Sequence, residues 1–245
     1  MNTKAMVCGA VLAASWTAPA WALRPFVGTD AAVAAPGDLE LELGNLGYLR
    51  EGSQKSVLAP AAVVNLGLEK GNELVLEGLV RTRLNPEAGS RRTSFEEGAV
   101  SIKHMLRDGV MQEAKGPSIA SECGVLIPTL QGERTGASCA GILSTRWGET
   151  TAHFNAALSK NREGNWERFL GVIVAGPSYG ALRPVFETFV VRDSAGLATN
   201  SALAGLLWTV SENLQFDIAL RKARSEGQGV TEIRAGLTWT RPARH

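Results

Sequence analysis

The sequence predicts an all-β protein: an antiparallel, up-and-down transmembrane β-barrel of about twelve strands. Three observations lead there. Short segments with apolar side chains at every second position recur along nearly the whole chain. Tight turns and longer polar loops alternate between them. An export-type leader precedes them.

Lys4 gives the leader a positive n-region, Ala5 to Ser15 an apolar core, and Ala20-Trp21-Ala22 a small-x-small cleavage site. Residues 1–22 are read as a cleaved signal peptide and residues 23–245 as one outer-membrane barrel domain. The apolar run is short of the ~20 residues a spanning helix needs. Lys4 is the leader's one charge, so the mature chain balances 24 basic against 24 acidic side chains. Zero net charge argues against a general nucleic-acid binder, which needs a basic surface.

The expected strands are residues 38–48, 57–68, 73–84, 95–106, 116–127, 138–147, 150–159, 166–175, 181–192, 201–210, 214–223 and 230–240. In the first, Leu39, Leu41 and Leu43 share one face and Glu40 and Glu42 the other. In the seventh, Ala152, Phe154, Ala156 and Leu158 oppose His153, Asn155 and Ser159. Side chains of a strand alternate between two faces, so each run is apolar on one side and polar on the other. Glu69 to Asn72, Gly148-Glu149 and Ser211 to Asn213 are tight connections. Asn85 to Ser94, Lys160 to Asn165, Asp193 to Asn200 and Arg224 to Gly229 are longer. That order matches short periplasmic turns and longer outer loops. Arg107 to Lys115 is the exception, a long connection where a periplasmic turn belongs.

Strands of about 9–11 tilted residues cross the hydrocarbon, and only closure of the sheet pairs every backbone group there. The expected outward set includes Leu39, Leu41, Leu43, Leu74, Leu76, Val80, Ile119 and Val125, then Leu143, Phe154, Leu158, Phe216, Ile218, Leu220, Ile233 and Leu237. The expected lumen set is Glu40, Glu42, Glu77, Arg81, Arg83, Glu122, Arg146, Arg183, Glu187, Asp217 and Arg221. A soluble sandwich would invert the two faces. A closed ring of twelve strands, however, encloses a lumen too wide to fill with small aliphatic side chains, which favours the membrane reading. Trp147, Trp166, Trp208 and Trp239 fall near strand ends, where an interfacial girdle belongs.

Of the three cysteines, Cys8 lies in the leader. Cys123 and Cys139 flank the turn-like Gln131-Gly132-Glu133-Arg134, and in a hairpin they would sit opposite each other. In an oxidising compartment they form a disulfide or remain two small apolar side chains; both readings stand. No metal site is expected, because His104, His153 and His245 are not spaced for shared ligation with the cysteines. No cofactor is expected either.

Leu23-Arg24-Pro25-Phe26-Val27-Gly28-Thr29-Asp30-Ala31-Ala32, followed by Pro36 to Gly44, resembles the opening of a bacterial outer-membrane family named for the MetA pathway of phenol degradation. Gly116-Pro117-Ser118-Ile119-Ala120 with Leu126 to Thr129, Arg183-Pro184-Val185-Phe186-Glu187, and Phe216 to Arg221 with Ala235 to Trp239 resemble it further, in order along the mature chain. The resemblance implies an outer-membrane barrel that passes small hydrophobic or aromatic compounds, and it carries no catalytic residues. Barrels of this kind usually end on an aromatic residue, whereas Trp239 is followed here by Thr240 to His245.

Gly176-Pro177-Ser178-Tyr179-Gly180 matches G-x-S-x-G, but a nucleophile elbow needs a helix after it and a strand is expected there. His153 and Ser159 could share one lumen, yet a histidine in an alternating strand is more often plain lining. Ser90-Arg91-Arg92 is a basic loop cluster suited either to lipopolysaccharide phosphates or simply to solvent. The lumen charges carry the most weight. Opposed carboxylates and guanidinium groups either set pore polarity or form a salt-bridge plug. Three functions follow: a passive, porin-like channel or transporter for small molecules in a Gram-negative outer membrane; a structural or surface-interaction barrel with a blocked lumen; and an outer-membrane hydrolase. The expectation is a non-enzyme whose partners are membrane lipid, lipopolysaccharide and a small solute.

Overall fold

The computed structural model describes residues 24–86, 89–128 and 133–243. The leader and its cleavage site lie outside the described residues. Twelve antiparallel strands run β1 (Leu39–Glu51), β2 (Gln54–Leu68), β3 (Asn72–Arg83), β4 (Thr93–Arg107), β5 (Ser118–Leu126), β6 (Gly136–Trp147), β7 (Thr150–Lys160), β8 (Trp166–Ala175), β9 (Leu182–Asp193), β10 (Ala198–Ser211), β11 (Leu214–Ser225) and β12 (Gln228–Arg241). Each pairs with its sequence neighbours, and β1 pairs with β12 from Leu39↔Arg241 to Glu51↔Val230, which closes the barrel. Among the described residues, no helix is long and apolar enough to cross a membrane.

Alternation decides the faces. Along β11, Phe216, Ile218 and Leu220 are exposed while Gln215, Asp217 and Ala219 are buried. The same parity turns every apolar residue of the expected outward set outward. Trp147, Trp208 and Trp239 lie outward at the end that carries residues 69–71, 148–149 and 212–213, called here the turn end. Trp166 lies at the opposite, loop end. Five register shifts interrupt the ladders, at Leu43/Leu46, Leu58/Ala61, Glu77/Leu79, Met105/Arg107 and Thr209/Ser211.

The loop-end connections are shorter than the alternation of apolar residues suggests. Residues 52–53 and 226–227 are two-residue turns, and residues 194–197 replace the longer loop expected up to Asn200. Polar strand ends continue the ladder: Thr199 pairs with Ser225, and their hydroxyls lie 2.8 Å apart. Backbone pairing needs no apolar side chain, so the strands outrun the hydrophobic band. Both central residues of the Lys70-Gly71 and Glu226-Gly227 turns have positive φ (61° and 69°; 51° and 81°). That geometry matches the right-handed twist of the flanking strands, and glycine takes it without steric cost.

The long turn-end connection, residues 108–117, contains a 3₁₀ turn over Val110–Gln112. It folds against the barrel base. The Met111 amide donates to Ser118 Oγ at 2.9 Å and Gln112 Nε2 to the Ala31 carbonyl at 3.4 Å.

Ile218 sits mid-strand on the outward face and is 55% exposed. Replacing it with arginine is expected to cost about 2–4 kcal/mol of folding stability in a bilayer. A urea titration in lipid vesicles checks this, and an unchanged midpoint would contradict the lipid-facing assignment.

Candidate functional site

The chain before β1 does not leave the barrel. Residues 24–35 run inside it as a strap and touch the inner wall strand by strand. Arg24 donates through Nε to Asp217 Oδ2 on β11 at 3.0 Å. Arg234 of β12 donates to the Pro25 carbonyl at 2.7 Å. The Val27 and Gly28 amides both donate to Glu187 of β9, at 3.0 and 2.7 Å. Asn155 of β7 accepts from the Thr29 amide at 3.0 Å and returns its Nδ2 to the Thr29 carbonyl at 2.8 Å. The Ala31 amide donates to Ser144 Oγ on β6, and the Ala34 amide to Glu73 Oε2 on β3. Lys103 of β4 reaches Thr29 Oγ1 at 3.2 Å and Asp30 Oδ1 at 3.5 Å.

A strap without ladder partners must have its amides satisfied by side chains, because a buried unpaired amide costs about 1–3 kcal/mol. The inward residues supply the acceptors. Glycines supply the room. A Cβ on Gly67 would stand 1.9 Å from the Ala35 carbonyl oxygen, and one on Gly236 would stand 2.6 Å from the Arg24 guanidinium.

Apolar side chains of the inner wall pack against the strap. Ala31 packs with Ala120 and Ile142, and Phe26 packs against Ala175, Val185 and Leu207. Ile142, Ile173 and Leu203 point inward and are at most 2% exposed. Small aliphatic side chains therefore do pack inside this lumen, which was expected to be too wide for them, because the strap lies against them there. Towards the loop end a cavity of about 720 Å³ remains, bounded below by strap residues and lined by Glu42, Glu77, Glu122, Arg81 and Arg221 among others.

All eleven expected lumen charges have inward parity, yet among the described residues no ion pair joins two of them. Glu40 and Glu42 share Asn65 Nδ2, at 3.3 and 3.2 Å. Arg81 pairs with Glu51 and Glu96, and Arg83 with Glu96. Arg146 meets Glu113, and Arg221 meets Glu232. Arg183 donates to the Gly176 carbonyl and to Thr151 Oγ1. Glu187 and Asp217 hold the strap. Glu73, Lys103, Asn155, Glu232 and Arg234 complete the set. Their strand parity was readable in advance, but their partner, the non-alternating strap, was not.

His153 and Ser159 are both buried and inward, but His153 Nδ1 lies 2.8 Å from Ser144 Oγ, which the strap already engages. Ser178 lies in the connection from β8 to β9, followed by a strand rather than a helix. Arg91 and Arg92 are exposed, and the Arg91 carbonyl accepts from Arg83 Nη1. Cys123 and Cys139 face each other across β5 and β6, 4.0 Å apart at Cα and joined as a disulfide on the outer face. Among the described residues, no group of three or more His, Cys, Asp or Glu side chains could hold a metal ion.

No family model matches the chain, and no curated protein matches its sequence. Solved structures do match its shape. The NanC porin superposes with a TM-score of 0.58 at 9% identity, covering 82% of this chain and 98% of that one. The COG4313 outer-membrane channel from Pseudomonas putida F1 gives 0.58 at 8% identity, over 86% of this chain and 96% of that one. The KdgM porin, solved with disordered oligogalacturonate, gives 0.52 at 9% identity over 85% and 99%. The fold is that of a porin-like outer-membrane barrel. Likeness at this identity carries the architecture of those barrels and not their solutes.

Glu187→Ala removes the acceptor of two strap amides in a fully buried place. It is expected to destabilise the folded barrel by about 1–3 kcal/mol, read as a lower temperature for loss of the compact, heat-modifiable gel band.

Proposed function

We propose that this protein is a passive outer-membrane channel for small molecules in which the strap sets the conductance. The observation that carries the reading is the charged cavity of about 720 Å³ that ends on a hydrogen-bonded strap rather than on a closed wall of side chains. Some lumen charges pair with each other, as Arg81 does with Glu96 and Arg221 with Glu232. Glu187, Asp217, Glu73 and Lys103 instead hold the strap.

The solute class follows from the family resemblance. The strap residues Arg24 to Ala32 are those that resemble the opening of the phenol-degradation family, and with them comes an expected preference for small hydrophobic or aromatic molecules. The apolar side chains of Phe26, Leu49, Phe169 and Phe189 in the cavity lining suit such a solute better than a sugar. A second reading, a blocked interaction barrel, is favoured by the near-complete burial of Ile142, Ile173 and Leu203.

Planar-bilayer recordings compare the mature chain with a chain lacking residues 24–34. The channel reading expects small discrete steps from the first and larger ones from the second. Silence from both, with heat-modifiable folding intact, would leave the interaction barrel. Vesicle uptake of phenol above that of glucose checks the solute class.

A further inference from the structure

The outer face carries charge of one sign. Among the described residues, no Asp or Glu of any strand points outward: Glu40, Glu42, Glu73, Glu122, Glu187 and Asp217, for example, all share inward parity. Lys and Arg do point outward, and they gather at the loop end. Arg50 of β1 stands directly opposite Lys55 of β2, and Arg168 of β8 directly opposite Arg192 of β9. Lys222 and Arg224 follow each other on the outward face of β11.

Their order around the barrel is continuous. Lys222 pairs with Thr231, Thr231 with Arg50, and Arg50 with Lys55, so one lateral row crosses β11, β12, β1 and β2. Arg224 pairs with Asn200, and Lys160 of β7 lies over the Trp166 ring at 5.3 Å. Together these positions span β7 through β12 to β2, eight neighbouring strands of the closed sheet. The residue two positions nearer the middle of the strand is apolar at Leu220, Tyr48, Val57, Leu170 and Val190. The belt therefore sits on the border of the hydrophobic band.

Like charges directly opposite on a sheet repel each other. None of these cations meets a carboxylate among the ion pairs of the described residues. Their neutral contacts, such as Lys222 Nζ to Thr231 Oγ1 at 2.8 Å, do not offset the repulsion. At the turn end the strand cations Arg107 and Arg241 pair with Ile119 and Leu39, so no such couple forms there. An anion placed at the lipid border of the loop end would relieve the repulsion. Arginine forks also match phosphate oxygens two at a time.

We infer that this belt docks the phosphorylated headgroups of the outer leaflet, the bisphosphorylated lipid A of lipopolysaccharide. The row Lys222, Arg50 and Lys55 holds one phosphate group, and the Arg168–Arg192 couple holds another. The acyl chains lie on the apolar band beneath. The inference rests on the outer-membrane placement proposed above and not on transport. The exposed Arg91-Arg92 loop is not needed for it.

The test titrates lipid A into the folded mature protein in neutral micelles and counts bound lipid by native mass spectrometry. Wild-type protein is expected to bind bisphosphorylated lipid A, to lose it as salt rises, and to bind the dephosphorylated form at least about tenfold more weakly, since each surface cation contributes roughly a fivefold factor towards anionic lipid. The triple variant Arg50→Gln, Lys55→Gln, Lys222→Gln should weaken binding by a similar factor. The charge-keeping variant Arg50→Lys, Lys55→Arg, Lys222→Arg should bind within about threefold of wild type, less than the factor contributed by a single cation. Heat-modifiable migration reports folding. Single-channel conductance should not change, because these side chains face away from the lumen. Equal binding of both lipid forms to wild-type protein, or undiminished binding by the folded triple variant, overturns the inference. If the triple variant fails to fold, the phosphate-removal arm on wild-type protein and Lys222→Gln alone decide it.

Discussion

Every backbone N–H and C=O that enters a bilayer must find a partner within the protein, and this constraint shapes both the wall and what it encloses. The wall meets it by closure: β1 pairs with β12 as well as with β2, and the sheet has no edge left. The strap has no ladder to join, so its amides depend on Glu187, Asn155, Ser144 and Glu73, each on a different strand. The inner face is polar in part because a second backbone runs along it. The strap in turn occupies space inside the barrel, and Ile142, Ile173 and Leu203 are buried as they would be in a core.

Charge is sorted by the same geometry. The strand carboxylates are kept inside, where amides, guanidinium groups and Asn65 donate to several of them. Cations divide into two populations. Arg24, Lys103, Arg221 and Arg234 answer inward carboxylates or strap carbonyls. Arg50, Lys55, Arg168, Arg192, Lys222 and Arg224 stand outside, with no carboxylate partner among the ion pairs of the described residues. One sequence alternation thus produces a lumen of mixed sign and an outer rim of single sign.

Much of this was legible in the residues. Period-two alternation gave all twelve strands and the outward apolar set, since a strand cannot show the same side chain to both faces. It also placed the eleven lumen charges on the inner wall. It did not give their partners, because Arg81 meets Glu51 and Glu96 across ladders whose register depends on bulges at Leu58 and Glu77. Apolar alternation stops short of the strand ends at Ala198 and Ser225, where hydrogen bonding continues without it. The strap is the part of the structure least legible in the residues. Arg24 to Ala35 has neither period two nor period 3.6, and a segment held only by other residues' side chains leaves no periodic mark of its own. Gly67 and Gly236, inward glycines in otherwise regular strands, were the readable hint that another backbone or side chain comes close there.

Amide hydrogen exchange on the folded mature protein tests the central claim most directly. If the strap is tied to the wall through its backbone, the amides of Val27, Gly28, Thr29, Ala31 and Ala34 exchange as slowly as those of the neighbouring strands. Exchange of these five at the rate of an unstructured peptide, while the strand amides stay protected, would contradict the account: the barrel would stand without its strap.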